Sequence, residues 1–459
     1  MVVVPRESLH MKHRAIITVI LIVINVVVYI YTSLQRGGGL ISSSYDFITE
    51  YGFRPVYFLS DPLKGLFYTF TSMFIHADII HIFFNMYFLW IFGSRVEGFL
   101  GHLRFICLYI LSGLAAVLFH SGFTPYGGID SLVIPAVGAS GAISGVLGAF
   151  LLMLPHTRLT VCMFFLFIPF CFNLPASAFL IIWFAQQLIY GYLRLGGVAY
   201  FAHIGGFIMG LLLAPYIARR ESITPEYLDM ILKYLYEYFG IRWIKPRGLG
   251  TSSKVILIAM IMAVTAGFLY SAYTSNSIVT KDHRVYVANL EVVVNNESQS
   301  DRFIISITQN RSLEVFPSII SALDNVRITG NRLAYILYNT NMSGQTFSGD
   351  IKYNARISGI YVDVTIEGLL IRYDDIGMAY YAQGLMRTYS VRVGPQGAEL
   401  GEYLIANFEY ESRRFEISNL SVICLFAASI AVFSIPSVLR SDEALVYQTT
   451  RQPGYYPFL

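Results

Sequence analysis

Val137-Gly138-Ala139-Ser140-Gly141-Ala142-Ile143-Ser144-Gly145 opens one apolar run of this chain, and Ala202-His203-Ile204-Gly205-Gly206-Phe207-Ile208-Met209-Gly210 opens a later one. A hydroxyl and an imidazole inside segments apolar enough for lipid are costly, so each asks for a reason. The glycines around Ser140 let backbone approach closely and leave amide hydrogens free at a helix start, where negative charge is favoured. Gly206 and Gly210 form a small-xxx-small face, which allows two helices to touch. If they do touch, His203 comes within reach of Ser140.

Working outward, the rest of the chain has the composition that such runs need. Of 459 residues, 55% are hydrophobic and only 13% charged, with a mean hydropathy of +0.57. Soluble domains carry about 25% charge, so much of this chain faces lipid. A net charge of +3 gives no reason to expect a nucleic-acid partner. Membrane spans of about 20 apolar residues are expected near 15–32, 72–93, 104–120, 137–155, 174–192, 200–217, 254–273 and 419–438. The first run has no small-residue cleavage site after it and reads as a retained helix rather than a signal peptide. The apolar stretch Val161 to Phe172 is short. It reads either as the membrane-embedded start of the fifth helix or as an interfacial piece.

Basic residues near span ends set orientation. Lys12, His13 and Arg14, then Arg95 and Arg104, Arg158, Arg219 and Arg220, Lys245, Arg247 and Lys254, and Arg440 all fall on one side when eight spans alternate. That side is taken as the cytoplasm of a multi-pass cell-membrane protein, with both termini cytoplasmic. The expected division is a six-helix core at 1–217 and a cytoplasmic linker at 218–253, with an amphipathic helix from Pro225 to Phe239. A seventh helix at 254–273, an extracytoplasmic region at 274–418, an eighth helix at 419–438 and a tail at 439–459 complete it.

The region 274–418 differs in kind. Runs such as Arg302-Phe303-Ile304-Ile305-Ser306-Ile307 and Ile360-Tyr361-Val362-Asp363-Val364-Thr365-Ile366 alternate with period two and are rich in strand formers. Turn signals such as Ser348-Gly349-Asp350 separate them. A β-rich, sandwich-like fold is expected. Asn296, Asn310 and Asn341 each start an N-x-S triplet, which fits an external placement. Cys107, Cys162, Cys171 and Cys424 all lie in or beside apolar runs and read as small buried hydrophobes rather than reactive thiols.

A third cluster completes the chemistry. In His76-Ala77-Asp78-Ile79-Ile80-His81-Ile82-Phe83-Phe84-Asn85, His81 and Asn85 are four apart and share a helix face. A serine hydroxyl becomes a nucleophile when a base takes its proton, and His203 is a base. His81, Asn85 and the amide near Ser140 are donors for an oxyanion. With no carboxylate beside Ser140 or His203 in these runs, a Ser–His dyad fits better than a triad with Asp. Taken singly, the motifs also have plain readings. Gly-x-Ser-Gly is a packing seam, His203 a structural donor and Asn85 interhelical glue. The ordered set argues for chemistry. The three histidines also admit a channel or transporter relay, against which the lack of paired broken helices speaks.

The ordered set resembles the rhomboid family of intramembrane serine proteases. The resemblance rests on His76 with His81-x-x-x-Asn85, then Gly93-Ser94-Arg95-Val96-Glu97, Gly138-Ala139-Ser140-Gly141 and Ala202-His203-x-x-Gly206-x-x-x-Gly210. It covers about 70–217 well and the first span loosely. It implies a six-helix core with an outward-opening wet cavity, no cofactor, and transmembrane protein substrates met in the lipid bilayer. Ser140 would be the nucleophile, His203 the general base, and His81 and Asn85 the oxyanion donors. His76, Gly138, Gly141, Gly206 and Gly210 would support the cavity, and Phe84 and Trp183 would gate it. Many members carry Trp-Arg in the first external loop, whereas here Gly65-Leu66-Phe67-Tyr68-Thr69-Phe70 has no arginine. The alternative reading is a catalytically silent relative that binds membrane proteins. Such relatives usually lack the serine or the histidine, and both are present here. A role in recruiting or screening substrates is expected for 274–418, with a stability or envelope-interaction module as the equal alternative, and the sequence does not name its partner.

Overall fold

A computed structural model describes residues 2–5, 14–34, 41–43, 47–48, 51–60, 62–127, 129–132, 134–165, 168–195, 197–218, 248–281, 284–294, 297–307, 313–316, 337–357, 360–394, 397–415 and 418–444. The amphipathic helix expected from Pro225 to Phe239 lies outside the described residues. The chain is a polytopic helical membrane protein with a separate β-rich region.

Among the described residues eight apolar helices are present: α1 (Ile16–Leu34), α2 (Ile79–Leu100), α3 (His102–Gly122), α4 (Ser140–Met153), α5 (Ala176–Tyr192), α6 (Tyr200–Ile217), α7 (Thr251–Lys281) and α8 (Ser418–Leu439). Among the described residues six of them are long and apolar enough to cross a membrane; α4 and α5 are shorter. The second helix starts at Ile79, later than the expected 72. Asp78 stops it from starting earlier, because its carboxylate accepts from His81 N at 2.8 Å and caps the first turn. His76 therefore sits in the turn before the helix. The segment Gly65–Phe70 belongs to a separate short helix, Pro62–Ser72. Upstream of it, Arg54 is buried at 3% exposure.

One buried carboxylate joins the first three helices. Glu97, fully buried, accepts from Ile17 N at 2.8 Å, Thr18 N at 2.7 Å and Thr18 Oγ1 at 2.7 Å. It also pairs with His102 Nδ1 at 2.6 Å. A helix start exposes backbone donors without acceptors, and here α2 supplies the acceptor that α1 lacks. Within α2 a π-helical turn spans Leu89–Gly93, a local widening of the helix.

The run 158–175 is not the start of the fifth helix. It is a hairpin of β2 (Arg158–Phe165) and β3 (Ile168–Pro175), with β1 (Val2–Pro5) paired to β2. Cys162 faces Cys171 in this register, and the two form a disulfide, which corrects their reading as buried hydrophobes. Cys107 is exposed, and Cys424 is buried with its thiol donating to Gly122 O at 2.9 Å.

α4 and α6 meet backbone to backbone. A Cβ on Gly206 would collide with Gly141 O, and one on Gly210 with Gly145 O. The expected glycine face is thus the contact that brings the serine and histidine helices together. α7 and α8 pack on each other and on this core. Tyr192 of α5 donates to Ala263 O at 2.8 Å, and Ser437 of α8 donates to Leu212 O of α6 at 3.1 Å.

The β-rich region is carried, among the described residues, by one seven-stranded antiparallel sheet. Its strands are β4 (Arg284–Val294), β5 (Glu297–Ile307), β6 (Leu313–Phe316), β7 (Thr346–Ile357), β8 (Ile360–Tyr373), β9 (Ala379–Gly394) and β10 (Gly397–Phe415), in the order β6-β5-β4-β10-β9-β8-β7. Alternate residues of β4 (Tyr286, Ala288, Leu290 and Val292) are buried with Val362, Val364 and Ile366 of β8 on one face, as period-two patterning requires. The central pair β4 and β10 begins and ends only a few residues from α7 and α8, so the sheet hangs from a packed helix pair.

Candidate active site

Ser140 is the first residue of α4. Its backbone N–H precedes the first bonded turn, which among the described residues begins at Ile143 N to Ala139 O. Gly138 makes this entry possible. Its φ of +115° is a conformation that side chains resist, and a Cβ there would stand 2.7 Å from His81 Nε2. The turn is held from outside as well. Gly138 N donates to Ser72 O at 2.8 Å, and Ala139 N lies 3.4 Å from His76 Nε2. His76 thus supports the loop from a fully buried position, stacked edge-on to His81 at 5.1 Å.

His203 enters near the start of α6. Its Nε2 lies 2.8 Å from Ser140 Oγ. On the other side of the ring, Nδ1 lies 2.8 Å from Gln187 Oε1 on α5. Trp183, one helical turn before Gln187, tilts toward the same imidazole with ring centres 6.2 Å apart. Asn85 Nδ2 donates to His81 O at 2.9 Å, so one amide hydrogen is engaged within α2. The other can point elsewhere.

These side chains line a cavity of about 870 Å³. Ser140, His203, His81, Asn85, Phe84 and Trp183 all contribute to its wall. Gly141, Gly206 and Gly210 lie behind it in the α4–α6 seam. Gln187 escaped the sequence reading. A lone amide in an apolar helix has no spacing signature, although its position four residues after Trp183 puts both on one face. His120 of α3 also lines the cavity and had not been singled out.

Residues 64–220 match the model of the rhomboid domain. This chain carries a rhomboid domain. It is 34% identical over 153 residues to "Rhomboid protein 1, mitochondrial" of Saccharomyces cerevisiae, covering 32% of this chain and 41% of that protein. It is 36% identical over 208 residues to "RHOMBOID-like protein 1" of Arabidopsis thaliana, covering 43% and 45%. It is 38% identical over 81 residues to "Rhomboid protease GluP" of Bacillus subtilis, covering 18% and 14%. The chain thus spans less than half the length of each of these relatives. The rhomboid domain model takes in α2 to α6, and α7, α8 and the seven-stranded sheet lie beyond it.

Proposed function

We propose that this chain is an intramembrane serine endopeptidase acting on transmembrane protein substrates. The carrying observation is the 2.8 Å approach of His203 Nε2 to Ser140 Oγ inside a cavity set among apolar helices. In this reading Ser140 Oγ attacks the scissile carbonyl while His203 takes its proton. The oxyanion is met by the Ser140 amide, His81 and Asn85, each donor lowering the barrier by about 2.7–4 kcal/mol. His203 then protonates the departing amine. Water, deprotonated by the same imidazole, releases the acyl group from Ser140.

Phe84 of α2 and Trp183 of α5 both line the cavity and act as its gate. The sheet region recruits or screens substrates. The basic residues at span ends support a cell-membrane protein with cytoplasmic termini and the sheet outside. Fractionation and protease protection check this; recovery from mitochondria, the location in the name of the yeast relative, would replace it.

The deciding experiment reconstitutes full-length protein in lipid with a single-span substrate. Ser140→Ala and His203→Ala are expected to fold and to lose cleavage, and a fluorophosphonate is expected to label wild type on Ser140 alone. Cleavage retained by Ser140→Ala rejects the assignment.

A further inference from the structure

Resting on the protease reading above, we infer that Gln187 is the positioning residue of the catalytic pair, so that the working unit is Ser140–His203–Gln187 with a neutral amide in the third place.

The inference follows from the two ends of one imidazole. To accept the serine proton, His203 must present a lone pair at Nε2, so in the neutral ring the hydrogen sits on Nδ1. That Nδ1–H points toward α5 and the buried Gln187, where a donor without an acceptor is expensive. Gln187 Oε1, 2.8 Å from Nδ1, is the acceptor. Gln187 is itself only 6% exposed, and α5 fixes its backbone. The opposite tautomer would leave Nδ1 facing an oxygen lone pair unless the amide turned over to offer its NH2 group instead. The amide therefore holds the ring's rotation, and with its oxygen toward Nδ1 it favours the tautomer that leaves Nε2 free to take the Ser140 proton.

The third group's chemical type follows from its surroundings. Soluble serine hydrolases use a carboxylate there, which also stabilises the imidazolium formed in the reaction. Within an apolar helix a permanent carboxylate is costly, whereas an amide oxygen offers the same acceptor without the charge. Among the described residues His81 from α2 and His120 from α3 act electrostatically on His203, neither of them acidic. Trp183, on the same face of α5, lies beside the ring with centres 6.2 Å apart. Gln187 touches neither Ser140 nor the position of a scissile bond, so its influence passes through His203.

The test compares wild type with Gln187→Met, Gln187→Glu and Gln187→Asn, each full-length in proteoliposomes with a single-span substrate. Kinetics of cleavage and of fluorophosphonate labelling at Ser140 are measured. Gln187→Met, similar in shape but without the acceptor, is expected to lower kcat and labelling rate by about 10–100-fold, the loss seen when a metal-bound imidazole is deprived of its outer hydrogen-bond partner. KM stays unchanged. Gln187→Glu, which restores an acceptor at the same reach, is expected to recover kcat to within a few-fold of wild type. Gln187→Asn keeps the amide but falls short of Nδ1 and is expected to behave like Gln187→Met, which covers the case of a Met variant that does not fold. Labelling at the wild-type rate by Gln187→Met or Gln187→Asn overturns the inference, as does a folded Gln187→Glu no faster than Gln187→Met. A wild-type protein that neither labels nor cleaves defeats the protease reading instead, so the two failures are distinct.

Discussion

Gly138 and His81 are so close that a methyl group on Gly138 would lie 2.7 Å from His81 Nε2. The glycine's φ of +115° adds a backbone cost of about 1–3 kcal/mol for any other residue. Gly138→Ala must therefore displace either His81 or the turn into Ser140, and both carry the proposed oxyanion site. The expected result is a folded protein whose kcat falls by about 10²-fold or more, as for loss of an oxyanion donor. Steady-state cleavage with thermal melting as control checks it. Wild-type kcat would detach Gly138 from the chemistry.

Asn85 makes a separable prediction. Its amide gives one hydrogen to His81 O, so its removal loses both a cavity donor and a local brace of α2. Asn85→Ala is expected to reduce kcat by about 10²–10³-fold with little change in KM, the pattern of an interaction made only in the transition state. A rise in KM at constant kcat would mean that Asn85 holds substrate rather than the oxyanion.

Much of this site was readable as residues before it was readable as geometry. Ser140, His203, His81 and Asn85 stand out because polar groups in apolar runs are few and their spacings place them on helix faces. The glycine seam foretold which helices touch. Gln187 did not stand out, because its meaning lies in the imidazole of a different helix. The β2–β3 hairpin was illegible for another reason. A short apolar run has the same composition whether helical or extended, and only the pairing partner decides, here Cys162 against Cys171. The start of α2 was misplaced because apolarity continues through Phe74 and Ile75, whereas the helix waits for the Asp78 cap.

Glu97 predicts a stability effect without a catalytic one. It collects two backbone donors of α1, the Thr18 hydroxyl and His102. Glu97→Ala leaves buried donors without an acceptor, at about 1–3 kcal/mol each. Thermal unfolding in detergent should shift clearly downward, while the fraction that remains folded cleaves with unchanged KM. An unshifted midpoint would show that water replaces the carboxylate.

The hairpin disulfide gives a chemical prediction. Alkylation of denatured, unreduced protein should modify two thiols, Cys107 and Cys424, and reduction should raise the count to four. The result also bears on orientation. The proposed topology puts 158–175 on the cytoplasmic side, where thiols are ordinarily kept reduced. Four thiols in protein trapped directly from cells would fit that side. Two would call for an oxidising compartment there, or for the opposite orientation.

Tyr286 of β4 pairs with Arg414 of β10, a few residues from the ends of α7 and α8. Those helices in turn bond to α5 through Tyr192 and Ala263 and to α6 through Ser437 and Leu212. The sheet is therefore attached to the two helices that carry Gln187 and His203, but among the described residues no residue of its strands lines the catalytic cavity. Replacing 284–415 by a flexible linker that keeps α7 and α8 should leave fluorophosphonate labelling of Ser140 near the wild-type rate, because the α5–α6 bracing survives. The ranking of several substrates by kcat/KM should change if the sheet selects them, and unchanged ranking would remove that role. Removing α7 and α8 as well should slow labelling itself. The two deletions together thus separate a sheet that selects substrate from helices that hold the active site in shape.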